Sequence, residues 1–484
     1  MSPFSCACIL QEKIAKANTM EVDMLANPLR FVRWVAVHTV CIMCVVLVGV
    51  STGQAQTPRI QGQGSAASGM GNAFTAQADD ASALHYNPAG MTQLRGVQFL
   101  NGALFIGGTT NFTSSSTGVN TTGTRDGSVA WPPPTHFYLV ANMKDIGIDA
   151  LENWTAGVGV TVPFGSLTNY PKNNPFSATV TFNTNPLLDI KPTVAYKLNY
   201  YLSFGLGADI YTYSTLFGEG QVEVRNTQGN NGTGAQREVN GSGTGAGFNV
   251  SMMYAPFRNA DGKPLANIGL IYRSQAVIPL SGQFISNGTI VADAKANMVL
   301  PQIFGGGMAI WPVRDQEHEW KLEMDVDYVG WKSFRNTTIS LSTGGGIPVG
   351  QNWSNAYNIM IGTEYKFLKI ERMPDWQVAL RGGFTQLQTQ MPDATFNPGI
   401  PSANTYIPSF GIGFTCNENG SFLGLTKCGN VGIGAKPKSI GLDLSYQAAY
   451  YETRTITTVT PITAVNGTYK SVIHIGGVSL RFNF

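Results

Sequence analysis

The stretch Trp320-Lys321-Leu322-Glu323-Met324-Asp325-Val326-Asp327-Tyr328 alternates strictly between apolar and charged side chains. Successive side chains of a β-strand point to opposite faces, so this stretch predicts a strand with one apolar and one ionic face. The apolar face begins and ends with an aromatic residue, and the strand spans about 26 Å. These features are typical of a strand in an outer-membrane β-barrel, whose apolar band is bounded by aromatic girdles.

The same alternation recurs along the chain, and the last strand alternates as far as Phe484. Fourteen strands are predicted, near 97–107, 134–142, 153–166, 188–198, 201–217, 241–256, 265–281, 293–311, 318–331, 354–367, 376–390, 405–415, 439–452 and 470–484. An even number fits bacterial single-chain barrels. The sequence therefore predicts an all-β fold, a transmembrane antiparallel β-barrel of about 14 strands over residues 97–484. A secreted β-sandwich, whose strands also alternate, is the alternative.

Composition supports strands and excludes several protein classes. Only 12% of the 484 residues are charged, against about 25% in a typical soluble domain. A net charge of +2 argues against a nucleic-acid-binding protein, and an aromatic content of 11% argues against disorder. A bundle of membrane helices would need many apolar runs of about 20 residues, and we find one candidate, near the N-terminus.

That apolar run, residues 35–50, follows two arginines and precedes Gly53-Gln54-Ala55, a small-x-small cleavage pattern. It predicts a secretory signal peptide over residues 1–55, with Met24 as the true start. A single membrane-anchoring helix is the alternative, for which the run is short.

Cysteine usage agrees with export. Four of the six cysteines lie in the predicted signal peptide, and the mature chain keeps Cys416 and Cys428. An isolated pair in an exported protein most often forms a disulfide. This disulfide would staple an insertion, residues 416–438, between strands twelve and thirteen on the expected periplasmic side. No histidine lies close to the pair, so no metal site is predicted.

Residues 56–96 do not alternate and are rich in small side chains. A barrel of fourteen strands has an interior wide enough to leak unless something fills it. The sequence therefore predicts an N-terminal hatch that plugs the lumen. A disordered periplasmic tail is the alternative, and the large side chains of the segment argue against it: Phe74, Leu84, Tyr86 and Met91.

In this segment the sequence resembles the long-chain fatty acid transporter family (FadL/TodX) of Gram-negative outer membranes. The resemblance rests on GMGNAF at 69–74, ADDAS at 78–82 and NPAGM at 87–91. Further matches follow in order along nearly all of the mature chain, including VPFG at 162–165 and DVDYVGW at 325–331. The residues that match the family's hatch motif are Phe74, Asp79, Asp80, Asn87, Pro88 and Ala89.

The resemblance implies a monomeric barrel in the cell outer membrane of a Gram-negative bacterium. Such a barrel passively transports hydrophobic molecules, for example long-chain fatty acids or aromatic hydrocarbons. Ligand would bind in an apolar lumen pocket, shift the hatch and leave sideways where the third strand is kinked. The matching kink is Pro163-Phe164-Gly165, because proline lacks a ladder donor and glycine tolerates a bend. A simple bulge at a strand end is the alternative.

One region departs from the family. The connection after the fifth strand, residues 218–241, is polar, whereas the family often places apolar helical elements there to capture ligand. This departure argues against low-affinity capture at that place.

Charged residues on predicted inward faces are expected to form a salt-bridge network in the lumen: Lys321, Glu323, Asp325, Asp327 and Arg381. Asp79 and Asp80 are expected to hydrogen-bond within the hatch rather than to act in catalysis. The sequence contains no nucleophile constellation or phosphate loop that we recognise, so neither an enzyme nor a cofactor is predicted. Expected partners are hydrophobic small molecules, outer-membrane lipid and, through the strand ending in Phe484, the barrel assembly machinery. A structural or adhesive outer-membrane barrel without transport is the competing function.

Overall fold

The wall of the molecule is a closed ring of antiparallel strands. The computed structural model describes residues 59–130, 133–213, 220–429 and 436–484. The predicted signal peptide and the start at Met24 lie outside the described residues. In the described part of the chain, no helix is both long and apolar enough to cross a membrane.

Fourteen crossings follow one another around the ring, and three of them are interrupted into two strands. The wall strands are β1 (Val97–Ser114), β2 with β3 (Asn120–Val129, Thr135–Asn142), β4 (Trp154–Asn169), β5 (Phe182–Lys197), β6 (Leu202–Thr212), β9 (Thr244–Arg258), β10 with β11 (Pro264–Arg273, Ala276–Ser286), β12 with β13 (Thr289–Leu300, Ile303–Arg314), β14 (His318–Val329), β17 (Ala356–Phe367), β18 (Trp376–Leu387), β19 (Thr405–Asn417), β22 (Ser439–Tyr451) and β24 (Gly467–Asn483). Shorter strands extend from the wall or lie in connections: β7 (Val222–Thr227), β8 (Gln236–Gly241), β15 (Thr337–Leu341), β16 (Gly346–Val349), β20 (Ser421–Phe422), β21 (Thr426–Lys427) and β23 (Arg454–Ile456).

The ring closes where β1 pairs with β24, in register from Gln98↔Asn483 to Ser114↔Gly467. The predicted fourteen-strand antiparallel barrel is confirmed. We call the end at which β1 begins and β24 finishes the proximal end, and the other the distal end.

Two predicted strands, 265–281 and 293–311, are each broken in the structure. The breaks face each other, because Arg273 pairs with Ile303 and Ala276 pairs with Leu300. Pro301 lies in the second break and cannot donate a ladder hydrogen bond. The alternation changes phase at both breaks. Buried residues are odd-numbered up to Arg273 and even-numbered from Ala276, then even-numbered up to Leu300 and odd-numbered over residues 303–309.

The polar connection 218–241 also differs from the expectation of a simple connection. It contains the β7–β8 hairpin, which extends the wall distally by pairing with β5 and β11. The strand β2, which prolongs the second crossing beside β1, is likewise absent from the predicted set. The strand β2 is almost wholly polar and the hairpin carries only three valines, so neither shows the long alternation that identifies a lipid-facing strand.

The outward face of the wall is apolar and has aromatic side chains near both ends. Towards the distal end, ring contacts run across five neighbouring crossings, with successive centroids 4.6–6.2 Å apart, through Phe248, Tyr272, Phe304, Tyr328 and Tyr357. Aromatic residues at the proximal end include Phe99, Trp154, Tyr196, Trp320, Trp376 and Phe482. An apolar band between two aromatic girdles is characteristic of outer-membrane barrels.

Residues 59–96, here called the N-terminal segment, lie inside the proximal half of the ring. The segment contains helices α1 (Ser65–Gly69) and α2 (Ala83–Tyr86) and a 3-10 helix, Pro88–Gln93. Its side-chain hydrogen bonds reach strands all around the circumference, including β3, β4, β6, β9, β14, β18, β22 and β24. Residues 62–91 are buried apart from a half-buried Asp79.

The distal half of the lumen is filled by a second set of side chains, from wall strands and distal loops. This distal cluster is rich in aromatic residues, among them Phe112, Phe164, Tyr170, Phe176, Trp331, Trp353, Phe396 and Tyr469. The interior is therefore layered, with the N-terminal segment proximal and an aromatic core distal.

Cys416 and Cys428 are joined by a disulfide at the proximal end, with their Cα atoms 6.0 Å apart. Between them the chain forms a small hairpin of β20 and β21. The insertion predicted at 416–438 thus folds in its described part, and lies at the same end as Phe484.

Candidate functional site

Two buried carboxylates on β14 hold the backbone of the N-terminal segment. Asp325 Oδ2 accepts hydrogen bonds from the N–H groups of Phe74 and Thr75, both at 2.8 Å. Glu323 Oε1 accepts from the N–H groups of Ala76 and Gln77, at 2.7 and 3.0 Å. Two carboxylates thus accept hydrogen bonds from four consecutive backbone N–H groups. Hydrogen bonds to an ionised acceptor are stronger than those between neutral groups.

The Asn-Pro-Ala element joins the two halves of the segment to the wall. Asn87 Nδ2 donates to the carbonyl of Thr75 at 2.8 Å, and Pro88 begins the 3-10 helix, where a missing N–H costs nothing. Ala89 donates its N–H to Ser251 Oγ on β9 at 2.9 Å and accepts from Ser203 Oγ on β6 at 3.0 Å. The motif residues therefore act as a structural fastening.

Phe74 is fully buried and packs edge-to-face on Tyr86, with ring centroids 5.4 Å apart. Near it the wall lacks side chains, so the two backbones approach closely. A Cβ atom on Gly383 of β18 would lie 2.1 Å from the carbonyl carbon of Met70. Glycine is required there because the wall and the segment meet backbone to backbone.

A buried ion network runs along the inner wall from β14 to β24. Glu364 on β17 pairs with Lys321 at 3.5 Å and with Arg381 at 2.6 Å. Arg381 continues to Asp443 at 2.8 Å, and Asp443 to Arg481 at 2.5 Å. The predicted lumen network thus includes Lys321 and Arg381, with Glu364 as the link between them.

The remaining predicted network residues behave differently from one another. Asp327 pairs with Arg59 of the N-terminal segment at 2.6 Å. Glu323 and Asp325 take part in none of the ion pairs among the described residues, contrary to the expectation. Their partners are the backbone N–H groups of residues 74–77, which a salt-bridge prediction could not anticipate.

Asp79 and Asp80 point to different partners. Asp79 pairs with Lys366 at 3.3 Å. Burial favours its neutral form, but Lys366 and Lys321 outweigh burial and lower the pKa of Asp79. Asp80 accepts from the backbone and hydroxyl of Ser82 at 2.8 and 2.6 Å, and burial raises its pKa. Asp80 therefore bonds within the segment, whereas Asp79 reaches the wall.

A second buried ion cluster lies on the opposite side of the lumen and is not among the predicted residues. Lys191 on β5 pairs with Asp189 at 2.6 Å and with Asp209 of β6. Arg273 on β10 lies 3.6 Å from Asp209 and donates to the carbonyl of His85. The sequence does contain an indication of this cluster, because its members are isolated charged residues within otherwise apolar strands. Burial and the nearby Arg273 and Lys191 hold the pKa of His85 well below its usual value.

The predicted kink coincides with an irregularity in the middle of β4. Thr161 pairs with Asp189 of β5 and Phe164 with Leu187, so β4 carries one extra residue between these pairs. Pairing with β5 resumes and continues to Asn169. The irregularity is therefore not at a strand end.

On its other edge, β4 pairs with β3 only as far as Val160. Of the described residues of β2, Thr124 pairs with β4, at Asn169. Among the described residues, β2 and β3 make no ladder pair with residues 161–167 of β4. The first described residues of the N-terminal segment occupy this edge instead. Ile60 donates its N–H to the Pro163 carbonyl at 2.9 Å, and the adjacent Arg59 forms a bridge with Phe164.

A cavity of about 500 Å³ adjoins this edge. It lies between the N-terminal segment, β1, β4, β24 and the distal loops, and its wall includes Leu104, Ile106, Val162, Leu167, Ile473 and Ile475. Ligand pockets of about 300–1,000 Å³ with mostly apolar walls are the usual sites for small hydrophobic molecules. In the described part of the chain, no group of three or more His, Cys, Asp or Glu side chains is arranged to hold a metal ion.

The sequence model of the outer membrane protein transport protein family (OMPP1/FadL/TodX) matches residues 48–422. The chain belongs to this family. Its location is accordingly the outer membrane, which agrees with the girdled barrel described above.

Relatives in this family are distant in sequence but similar over most of their length. The long-chain fatty acid transport protein of Salmonella typhi is 23% identical over 408 residues, covering 78% of this chain and 88% of that protein. The protein of the same name from Escherichia coli (strain K12) is 22% identical over 419 residues, with the same coverage.

Two solved structures have the same fold. A Pseudomonas aeruginosa FadL homologue superimposes with a TM-score of 0.68 at 15% identity, covering 90% of this chain and all of that one. The P. putida toluene transporter TodX gives 0.59 at 16% identity, covering 88% and 99%.

Proposed function

We propose that this chain carries hydrophobic molecules, either long-chain fatty acids or aromatic and aliphatic hydrocarbons, passively across the outer membrane. Residues 56–96 act as a hatch, residues 97–484 as the barrel, and the exit is lateral, at the kink in β4. The observation that carries the proposal is the mostly apolar cavity of about 500 Å³ beside Pro163 and Phe164 of β4, where Ile60 and Arg59, rather than any described residue of β2 or β3, pair with the strand.

The position of the cavity supports a sideways exit. A hydrophobic solute gains nothing by crossing the charged proximal half of the lumen, where Arg381, Glu364 and Asp443 lie. We infer that the solute leaves past Val162 and Leu167, two apolar side chains of β4 that line the cavity. Partition of apolar area into lipid, at about 25 cal/mol per Å², drives the last step without an energy source.

Residues 59–63 are placed to act as the movable part of the hatch. They meet this part of β4 through Ile60 and Arg59, and the Gln63 side chain both donates to the carbonyl and accepts from the N–H of Val162. Arg59 also pairs with Asp327 at 2.6 Å, so moving these residues must break that ion pair. Displacing them would join the cavity to the gap while the remainder of the segment stays in place.

Substrate identity follows from the relatives only as a proposal. The curated relatives are named long-chain fatty acid transport proteins and a structural neighbour is a toluene transporter. Both substrate types consist largely of hydrocarbon, and a cavity of about 500 Å³ is within the usual size for small-molecule sites. The protein is proposed to work as a monomer without cofactor. A structural or adhesive barrel would have no need of a mostly apolar cavity in its lumen.

The test removes the extra residue of β4. Deleting Pro163 brings Phe164 into continuous register with β5. We expect uptake of labelled oleate, hexadecane and toluene to fall to the level of cells lacking the protein, while the barrel still folds. The matched control, Pro163→Ala, keeps the residue count and should retain uptake.

Two results would contradict the proposal at different levels. Full uptake by the deletion variant would reject lateral exit but leave transport standing. Equal uptake of all three substrates with and without the wild-type protein would reject transport and favour the structural or adhesive barrel.

A further inference from the structure

An outward-facing row of residues at the proximal end is partly covered by the chain itself. Trp376, Cys416, Ile440 and Phe482 are successive cross-strand partners on β18, β19, β22 and β24. No register shift interrupts these ladders, so residues an even number of positions away share their face. Such residues are exposed on the outer surface: Leu380, Phe410, Leu444 and Leu480. The row therefore belongs to the lipid-facing surface.

Two members of the row are hidden by the hairpin of β20 and β21. Cys416 and Ile440 are 0% and 2% exposed, although they face outwards. Phe422 of the hairpin stacks on Trp376 with ring centroids 5.9 Å apart, and the disulfide to Cys428 fixes the end of the hairpin. The hairpin therefore folds back against the outside of the barrel, at the level of the proximal aromatic girdle.

The tip of this hairpin is apolar and uncovered. Leu425 is 84% exposed and Leu423 is 67% exposed, the highest values among the large hydrophobic side chains of the described residues. Such exposure is unusual in water but natural where a surface continues into lipid. The tip lies next to the lipid-facing band of the barrel, so the lipid that surrounds the band can also reach the tip.

The insertion that carries this hairpin is basic. Residues 416–438 contain three lysines and one acid, Glu418. All three lysines are exposed: Lys427, Lys436 and Lys438. Basic side chains beside a membrane surface attract anionic lipids, and apolar side chains flanked by basic residues are typical of interfacial anchors.

We propose that the disulfide-stapled hairpin, residues 417–428, is an interfacial anchor for the proximal leaflet. The hairpin places Leu423 and Leu425 among the acyl chains. Its Lys427, together with Lys436 and Lys438 of the same insertion, faces anionic phospholipid headgroups. The disulfide and the Phe422–Trp376 stack hold the tip against the barrel, so the leucines enter lipid with little loss of conformational freedom.

The test places a nitroxide at the tip. Leu425→Cys is labelled without reduction, so the buried native disulfide does not react, and the protein is reconstituted into vesicles of phosphatidylcholine and phosphatidylglycerol. Collision with oxygen reports lipid and collision with a water-soluble nickel chelate reports water. We expect the oxygen-to-nickel ratio to be severalfold higher than at Gln316→Cys, an exposed residue in another proximal turn. It should approach the ratio at Leu380→Cys, in the lipid-facing band.

The outcomes separate cleanly. A ratio equal to that of Gln316→Cys means that the tip lies in water and overturns the proposal. Protection from both reagents means that protein covers the tip and also overturns it. Leu423→Cys repeats the measurement if the first variant does not show the heat-modifiable gel mobility of a folded barrel.

A second measurement tests the lysines. Preference for spin-labelled phosphatidylglycerol over phosphatidylcholine should fall in the variant K427Q/K436Q/K438Q, by up to about fivefold per lysine. The control K144Q removes an exposed lysine from a different proximal turn and should leave the preference near wild type. An unchanged preference in the triple variant would reject the headgroup contact.

Discussion

Removing the Asp325 carboxylate should release part of the N-terminal segment from the wall. In Asp325→Ala, the N–H groups of Phe74 and Thr75 lose their acceptor while remaining buried. Hydrogen bonds to a charged group contribute about 1.5–3 kcal/mol each, so two of them give about 3–6 kcal/mol. Since about 1.4 kcal/mol corresponds to a factor of ten, local opening should increase by about 10²- to 10⁴-fold.

Hydrogen–deuterium exchange of a peptide covering residues 72–78 measures this opening directly. The matched control is Asp327→Asn on the same face of β14, which loses the pair with Arg59 but leaves the acceptors of residues 74–77 intact. Exchange at 74–77 should accelerate in D325A and stay near wild type in D327N. Identical exchange in D325A and wild type, in a barrel with normal heat-modifiable mobility, would refute the assignment of Asp325 as the anchor.

Three further variants test other contacts. Arg381→Met deprives the buried carboxylates of Glu364 and Asp443 of a shared partner, and should lower the free energy of unfolding in lipid by about 3–5 kcal/mol in a urea titration; no loss would show that the network is not stabilising. Gly383→Ala places a Cβ atom 2.1 Å from a backbone carbon of the N-terminal segment, and should speed exchange at residues 69–72, whereas unchanged exchange would mean that the wall yields instead. The pKa of His85 is depressed in the folded state, so the unfolded form takes up the extra proton and local stability is lost as the pH falls below about 6.5, by up to about 1.4 kcal/mol per pH unit. His85→Gln should flatten that slope in exchange measured at residues 83–86, and an identical slope in the variant would contradict this origin.

The barrel could be predicted from the sequence because each lipid-facing strand separates two environments. The stretch from Trp320 to Tyr328 alternates because one face contacts lipid and the other faces the lumen. This pattern can be recognised within nine consecutive residues. The extensions β2, β7 and β8 were not predicted because β2 is almost wholly polar and the β7–β8 hairpin carries only three valines. The breaks before Ala276 and Ile303 were not predicted because strand-forming residues continue on both sides, although the alternation changes phase there.

The interior was predictable in kind but not in its partners. The ionic face of β14 identified Glu323 and Asp325 as lumen residues, yet their partners are backbone amides about 250 positions earlier in the chain. Backbone N–H groups carry no residue signature, so no pattern could name them. Pro163 marked an irregular edge of β4, but that Ile60 meets this edge depends on the path of a segment without periodicity.

The enclosed segment also constrains the order in which the molecule is built. Ser65 donates its N–H to Ser479 on β24, and the hydroxyl of Tyr138 on β3 donates to the carbonyl of Gln63. These contacts lie on the two sides of β1, the strand whose pairing with β24 closes the ring. Once that seam of seventeen residue pairs has formed, chain can enter only through an end of the cylinder. Residues 59–96 precede β1 directly, so the folding chain can gather its last strands around a segment already in position, which then serves as an internal template for closure.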